Sequence, residues 1–235
     1  MSEPRPPIPD PLKRELRQEA YFGCVFCGNP IIEYHHIEQY HLVKCHEKSN
    51  LVILCPEHHH RANCGEIFMK KVIEAKNNPY NKNSEFIGKD FFLNEYEKLK
   101  IKAGSVIFQN TEVLVEITNK PLLTVKPDED GYAIINAEFY DKNNKLVALI
   151  VNNEWKAYKE AKLWDITYSP GHLVIRSGKG KIFLEFRLVG EVVELRAEMY
   201  YNKKVVSFKP SKVTSSFVTL NDVIIENCEK VIVMK

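Results

Sequence analysis

The sequence predicts an α+β protein in which a small mixed module is followed by an all-β domain. Up to residue 103, helical spacings of apolar residues alternate with two short strand-like runs. From Gly104 onward, short β-branched and aromatic runs are divided by polar or glycine turns, which is typical of β structure. Between Cys24 and Asn63 lie four of the six cysteines and seven of the eight histidines. Metal-binding or catalytic residues are therefore expected in the first module.

These patterns divide the chain into four segments. We predict a flexible N-terminal lead over 1–10, a metal-bearing module over 11–77, a helical connector over 78–103 and the β domain over 104–235. The lead is proline-rich and lacks the apolar core of a signal peptide. No run approaches the ~18–20 apolar residues of a membrane span. We therefore expect a cytoplasmic protein with reduced thiols and no membrane partner.

The first module reads as helix, strand, strand, helix. Asp10 and Pro11 predict the N-cap and first position of a helix that ends near Gly23. Residues 31–37 and 51–54 are short apolar runs that predict strands. The first helix is expected to bury Leu12, Leu16 and Ala20.

A second helix is predicted to begin at Pro56 and to carry His58, His59 and Asn63. The run EIFMKKVIEAK then predicts an amphipathic helix that NNPYN ends, and apolar spacing predicts another over Lys89–Lys102.

Two half-sites of a metal centre are visible. Cys24-x-x-Cys27 and Cys55-x-x-His58 have the spacing of a tetrahedral Cys3His zinc site, and a closed set of four protein ligands is structural. Buried thiols or disulfides are the alternative, which the paired spacing and the expected reducing compartment disfavour. The fourth ligand is the least constrained, and the possible substitutes are Cys45, His46 and Cys64.

The motif order extends beyond the half-sites. It runs C-x-x-C, then H-H-I at 35–37, N-L-V at 50–52 and L-C-x-x-H-H at 54–59. This order resembles the HNH endonuclease family, whose ββα-metal fold holds one catalytic divalent ion. The match covers under a third of the chain. The chain departs from the family in segment 38–49, EQYHLVKCHEKS, where the family often has a glycine-rich loop.

The resemblance implies a role for each motif residue. His36 corresponds to the general base, His35 and His59 to ligands of a catalytic Mg2+ or Mn2+, and Asn50 to the residue that holds the loop and orients the base. Asn63 is a possible third ligand, because residues four apart share a helix face. Phosphodiester hydrolysis needs a base and a cation, and histidine suits the first task.

One geometric condition follows from the adjacency of His35 and His36. Neighbouring residues on a regular strand point to opposite faces, so both can line one site only at a bulge or a strand end. Taken singly, each histidine is a polar surface residue, and for His41, His46 and His60 that interpretation is preferred.

The β domain offers a repeat but no recognisable chemical site. Val106–Asn110 followed by VLVEI resembles Val223–Asn227 followed by VIVMK. Such a repeat predicts coils whose strands stack in parallel with asparagine at a turn, although two β-rich strings also resemble each other by chance. A sandwich or barrel and a short β-solenoid both fit.

Overall charge does not select a partner. Lysine and arginine exceed aspartate and glutamate by two, and residues 1–100 carry fourteen of each sign. Most nucleic-acid-binding modules are more basic. A phosphate-facing patch and a solvated helix face are equally good explanations of one group of basic side chains: Lys13, Arg14, Arg17, Arg61, Lys70 and Lys71.

The leading hypothesis is a metal-dependent HNH endonuclease that acts on DNA, with RNA left open. Its β domain would select substrate or partner, including a protein partner or a second copy of the chain. The first alternative is a zinc-dependent module that binds nucleic acid without cutting it. The second is a sensor or interaction protein in which the β domain is the principal part.

Overall fold

The computed structural model describes residues 5–235 and divides the chain into two compact units, Met1–Ile87 and Gly88–Lys235. The predicted α+β class is confirmed: helices are few and a large region is mostly β. Within the described part of the chain, no helix is long and apolar enough to cross a bilayer.

The first unit contains short helices and one hairpin. Its elements are α1 Asp10–Glu19, β1 Glu33–His36, α2 Tyr40–Val43, β2 Leu51–Leu54, α3 Pro56–Asn63 and α4 Met69–Asn77. Strand β3, Phe86–Asp90, carries the chain from the first unit into the second.

The second unit is built from strands. They are β4 Lys100–Ala103, β5 Val106–Gln109, β6 Val113–Ile117, β7 Lys120–Pro127, β8 Ala133–Tyr140, β9 Leu146–Val151, β10 Glu154–Tyr158, β11 Asp165–Ser169, β12 His172–Gly178, β13 Lys181–Val189, β14 Val192–Tyr201, β15 Lys204–Lys209, β16 Lys212–Ser215, β17 Thr219–Leu220, β18 Ile224–Glu226 and β19 Lys230–Met234.

Helix α1 begins one residue before the predicted position. Pro9 occupies the N-cap in an extended conformation, and Asp10 is the first helical residue, where its carboxylate faces the positive end of the helix dipole. The helix ends at Glu19, ahead of the predicted end near Gly23. Its apolar side reaches the core as predicted: Leu16 and Ala20 are buried and Leu12 packs against them.

The hairpin and helix α3 form the predicted β, β, α order. β1 pairs antiparallel with β2, with Glu33 opposite Leu54 and His36 opposite Leu51. Every residue of β2 is buried, because it lies at the centre of the unit's core. The predicted lead over 1–10 falls partly on residues 1–4, outside the described residues, and its remainder runs directly into α1.

The predicted helix over Lys89–Lys102 is wrong, and the helical part of segment 78–103 is the short 3-10 helix Tyr80–Asn83. Phe91 and Leu93 are buried, whereas Phe92 between them is 82% exposed. This alternation has the period of an extended chain. Strand β4 continues it with Ile101 and Ala103 inward. Consecutive aromatic residues fit both periods, so the spacing alone could not decide between them.

The strands of the second unit belong to one hydrogen-bonded sheet that closes on itself. From β6 to β9 and from β11 to β17, each strand pairs antiparallel with the next along the chain. Alternate residues point inward, as β8 shows with its strict buried–half-buried pattern. The largest side chains with almost no exposure are Trp155, Phe108, Phe139 and Phe208.

The internal repeat marks parallel strands, one of the outcomes left open by the sequence, but its two copies pair with each other within the closed sheet rather than stacking as solenoid coils at the two ends. β18 pairs parallel with β5 and β19 pairs parallel with β6, at one constant sequence offset of 117 residues. At the turn that follows each first strand, Asn110 and Asn227 both have a left-handed backbone, and their side chains are hydrogen-bonded at 3.3 Å. The repeat thus adds parallel pairs to a sheet whose other neighbours are mostly antiparallel.

Candidate metal centre and histidine cleft

The four predicted zinc ligands come together in the first unit. The ligand atoms of Cys24, Cys27, Cys55 and His58 all lie within 4.8 Å of one another. The Sγ atoms of Cys27 and Cys55 are 3.7 Å apart, and Nδ1 of His58 lies 3.7 Å from Cys24 Sγ and 3.1 Å from Cys55 Sγ. A tetrahedron with Zn–S bonds of about 2.3 Å and Zn–N bonds of about 2.0 Å has edges of about 3.5–3.8 Å. This cluster could hold a metal ion such as zinc.

The first half-site is shaped by backbone that requires glycine. Gly28 has φ +74° and its N–H bonds the carbonyl of Cys24 at 2.8 Å, which closes the turn between the cysteines. A Cβ on Gly28 would lie 2.2 Å from the side chain of Asn81. Asn81 is buried and donates to the carbonyls of Gly28 and Tyr21. The turn at Gly28 and the side chain of Asn81, 53 residues further along the chain, therefore hold the knuckle together.

Helix α3 supplies the second half-site. Cys55 is the N-cap of this helix, and its carbonyl accepts the N–H of His59 at 2.8 Å. His58 stacks on Phe26 with ring centroids 5.1 Å apart, which fixes the orientation of its imidazole. A hydrogen bond from the Cys27 thiol lowers the pKa of the Cys24 thiol to about 5 against the effect of burial. A thiolate is the form that binds metal.

One open cleft of ≈ 550 Å³ lies at the end of the hairpin. It is lined by Arg5, Tyr34, His35, His36, Ile37, Gln39, Tyr40, His41, His59, Ala62 and Asn63. His36 is the last residue of β1, and the β1–β2 pairing has no register shift. The strand end therefore lets two adjacent histidines line one cleft.

His35 and His36 are both nearly buried. Burial, and then the charges of His59 and His36, lowers the pKa of His35 to about 4. Burial, and then the Arg5 guanidinium and His46, lowers the pKa of His36 to about 4. Both imidazoles are therefore neutral at pH 7, which is the state that accepts a proton or binds a metal.

His59 reaches the cleft from helix α3. Its ring lies edge-on to that of His35, with centroids 5.1 Å apart. Nδ1 of His59 is hydrogen-bonded to a carboxylate oxygen of Glu33. This bond leaves Nε2 as the nitrogen available to another group, an arrangement common in histidines that bind metals. Asn63, one helical turn further on, lines the same cleft.

Asn50 closes the loop between the two strands. Its Oδ1 accepts the backbone N–H of Glu38 at 2.7 Å, and its Nδ2 donates to the carbonyl of Glu38 at 2.9 Å. Its own carbonyl accepts the N–H of Ile37 at 2.9 Å. Asn50 therefore pins the chain immediately after His36, although it makes no direct bond to that imidazole among those described.

The substitute zinc ligands lie outside the cluster within the described residues. Cys64 is exposed with Sγ 3.6 Å from Nε2 of His60, and His46 instead bonds His36. Sequence reasoning missed Glu33, although a position two residues before His35 shares its strand face. It also missed the contacts that Arg5 and His46 make with His36, for which no local spacing gives a signal.

No protein-family model, curated protein or solved structure matches this chain. Its function therefore has to be inferred from the cluster and the cleft themselves.

Proposed function

We propose that the first unit is a zinc-stabilised endonuclease of the HNH type, which hydrolyses phosphodiester bonds in DNA with a divalent cation and a histidine base. The observation that carries this proposal is the convergence of His35, His36 and His59 on one cleft. The cluster of Cys24, Cys27, Cys55 and His58 supports it, because the cluster joins the turn that precedes β1 to helix α3, which carries His59.

His36 is the proposed general base. A neutral imidazole can take the proton of a water molecule as its oxygen attacks phosphorus and the bond to the leaving sugar oxygen breaks. The depressed pKa keeps this imidazole unprotonated at pH 7. Asn50 positions the base indirectly, through the backbone that follows it.

His35, His59 and Asn63 are the proposed ligands of the catalytic cation. When bound, Mg2+ or Mn2+ would stabilise the charge on the phosphate and on the leaving oxygen. Two imidazole nitrogens and one amide oxygen suit Mn2+ better than Mg2+, which prefers oxygen ligands. Glu33 would orient His59 through its Nδ1.

We assign to the second unit the choice of substrate or partner, including a protein partner or a second copy of this chain. Within the described residues, the cluster of metal-binding side chains lies in the first unit. The long closed sheet offers a large surface for such contacts. DNA is the proposed substrate, and RNA carries the same phosphodiester bond.

One observation favours a second candidate, a module that binds nucleic acid without cutting it. Both ring nitrogens of His36 are occupied, Nδ1 by Arg5 and Nε2 by His46. A base in that state cannot accept a proton until one partner leaves. A sensor function, with the second unit as the principal part, shares this expectation of no cleavage.

A plasmid cleavage assay with Mg2+ or Mn2+ separates the two candidates. Wild type should convert supercoiled plasmid and His36→Ala should not, while both bind DNA in the presence of Ca2+. The matched control is His60→Ala, which removes an exposed histidine from the same unit outside the cleft. Binding without cleavage by wild type would favour the binding module. Equal cleavage by wild type and His36→Ala would contradict the assignment of the base.

A further inference from the structure

A continuous chain of hydrogen bonds runs across the candidate base. Nη2 of Arg5 lies 2.9 Å from Nδ1 of His36, and Nε2 of His36 lies 3.1 Å from Nδ1 of His46. Nε2 of His46 lies 2.8 Å from the carbonyl oxygen of Pro6. The chain of contacts thus begins and ends on two consecutive residues of the N-terminal segment.

Elementary chemistry fixes the direction of every bond in this chain. A guanidinium can only donate and a backbone carbonyl can only accept. His36 therefore accepts at Nδ1 and donates from Nε2, and His46 does the same. The lone pair of His36, which is the part of a general base that takes the proton, points at Arg5. In this conformation the Arg5 guanidinium blocks the lone pair of His36, and we call this hydrogen bond the cap.

Arg5 is also the only lysine or arginine among the cleft-lining residues of the described chain. Its guanidinium lies over the Tyr40 ring, 4.7 Å from the centroid, and the residue is otherwise exposed. A guanidinium bonds a phosphate more strongly than a neutral imidazole, because the bond is charge-assisted on both sides and can be bidentate. A phosphate that enters the cleft would therefore compete successfully for Arg5.

We propose that Arg5 is a phosphate-binding residue of this cleft whose guanidinium caps Nδ1 of His36 in the free protein and moves to the phosphate when one enters. The bond from His46 to Pro6 tethers the segment, so the guanidinium can exchange partners without leaving the cleft. The nature of the substrate rests on the proposed function, whereas the cap and the phosphate site do not.

The cap is tested by the reactivity of His36 toward diethyl pyrocarbonate, which attacks unprotonated imidazole nitrogens, with modification of each histidine read by mass spectrometry. In the full chain, Arg5→Ala should modify His36 about tenfold faster than wild type, as expected when a bond from a charged donor is lost. Arg5→Lys keeps the positive charge but lacks the planar set of N–H donors of a guanidinium, so its rate of His36 modification should lie between those of wild type and Arg5→Ala. His172 of the second unit is the internal control and should not change.

Inorganic phosphate is the probe for the second half of the proposal. At constant ionic strength, replacing chloride by phosphate should raise the reactivity of His36 in wild type toward that of Arg5→Ala, and should leave Arg5→Ala unchanged. His46→Ala gives a second test, because it releases Pro6 and also frees Nε2 of His36, and both changes should speed modification of His36. If His36 reacts equally fast in wild type, Arg5→Ala and His46→Ala, there is no cap. If phosphate has no effect on wild type, Arg5 does not bind it here.

DNA binding separates this proposal from the proposed function. With a labelled duplex and Ca2+, Arg5→Ala should bind about tenfold more weakly than wild type, and its salt dependence should be shallower by about 0.9, the value for one lost phosphate contact. Lys82→Ala, an equal change of charge on an exposed residue of the first unit that does not line the cleft, is the control. Absence of cleavage with the phosphate effect intact would overturn the nuclease assignment alone. Cleavage with an unchanged salt slope in Arg5→Ala would overturn the role of Arg5 alone.

Discussion

The two units of this protein are stabilised by different means. The first has a small core around β2 and gathers its cysteines and histidines into a cluster and a cleft. The second closes a long sheet around large side chains such as Trp155, Phe139 and Phe208. A smaller unit buries a smaller fraction of its surface and gains more stability from a bound metal ion, whereas a larger sheet relies on its own core. The unit with the cysteine and histidine cluster is thus the one that a bound metal ion would stabilise.

The buried polar groups of the two units also differ in their surroundings. In the first unit, His35 and His36 are nearly buried and face a cleft, with their pKa values lowered. In the second unit, buried Glu116 is paired with Lys230 at 2.8 Å. Perturbed groups beside open space indicate function, and paired groups inside a sheet indicate structure.

The largest effect expected from this contrast is selective unfolding of the first unit. Structural zinc contributes about 10–16 kcal/mol of apparent binding free energy to small zinc modules. Cys24→Ser should therefore abolish the fold of the first unit and leave the second intact. Elemental analysis should find one zinc per chain in wild type and none in the variant.

Two spectroscopic signals report the units separately. Within residues 5–235 the α-helices all lie in the first unit, so circular dichroism at 222 nm follows it, whereas Trp155 and Trp164 lie in the second. Cys24→Ser should lose the helical signal and keep the native tryptophan emission. Cys228→Ser, outside the cluster, is the matched control. Loss of both signals together would show that the units do not fold independently.

The second-largest effect concerns the different roles proposed for His35, His36 and His59 in the cleft. His36→Ala should reduce cleavage about 10²–10⁴-fold, the usual contribution of a general base, and excess Mn2+ should not restore it. His35→Ala and His59→Ala should instead weaken binding of the cation, so that raised Mn2+ recovers part of the rate. A metal titration of the three variants measures this. Restoration of His36→Ala by excess metal would mean that the roles of the two adjacent histidines are exchanged.

Much of the first unit could be predicted because its determinants are local. The x-x spacings place Cys24 with Cys27 and Cys55 with His58, and the knuckle turn follows from Gly28. The contacts to His36 could not be predicted in this way. They come from Arg5, which lies 31 positions before His36 in the sequence, and from His46, which lies 10 positions after it. These contacts therefore depend on how the N-terminal segment and the loop after β1 fold back to the end of that strand.

The second unit could also be predicted only in part from its sequence. The repeat pointed to parallel strands because its two copies carry similar runs at one offset, but it did not show that the two copies pair with each other. The closure of the sheet could not be predicted, since strand order depends on long-range pairing that a period of two does not encode. Around Phe92, adjacent aromatic residues satisfied helical and extended periods alike, and only burial of its neighbours decided for the extended chain.

The third prediction tests whether the second unit is held by its apolar core. Phe139→Ala removes a fully buried ring and should lower the free energy of unfolding by about 3–5 kcal/mol. Urea denaturation followed by tryptophan emission measures it. Phe217→Ala, at a side chain that is 79% exposed, should change stability by less than about 0.5 kcal/mol. Similar losses for both variants would contradict the proposed source of stability. The zinc content should not change in either.

The smallest effect concerns the asparagine pair that joins the two copies of the repeat. Asn110 and Asn227 both have positive φ, so replacement by glycine removes the side-chain hydrogen bond and keeps the backbone conformation accessible. Each single variant should lose about 0.5–1.5 kcal/mol, the net value of one hydrogen bond. Because the two side chains share that bond, the double variant should lose less than the sum of the two single variants. A double-mutant cycle by urea denaturation, with tryptophan emission as the signal, measures the difference. Strict additivity would show that the parallel pairs of strands, rather than the asparagine contact, hold the two copies together.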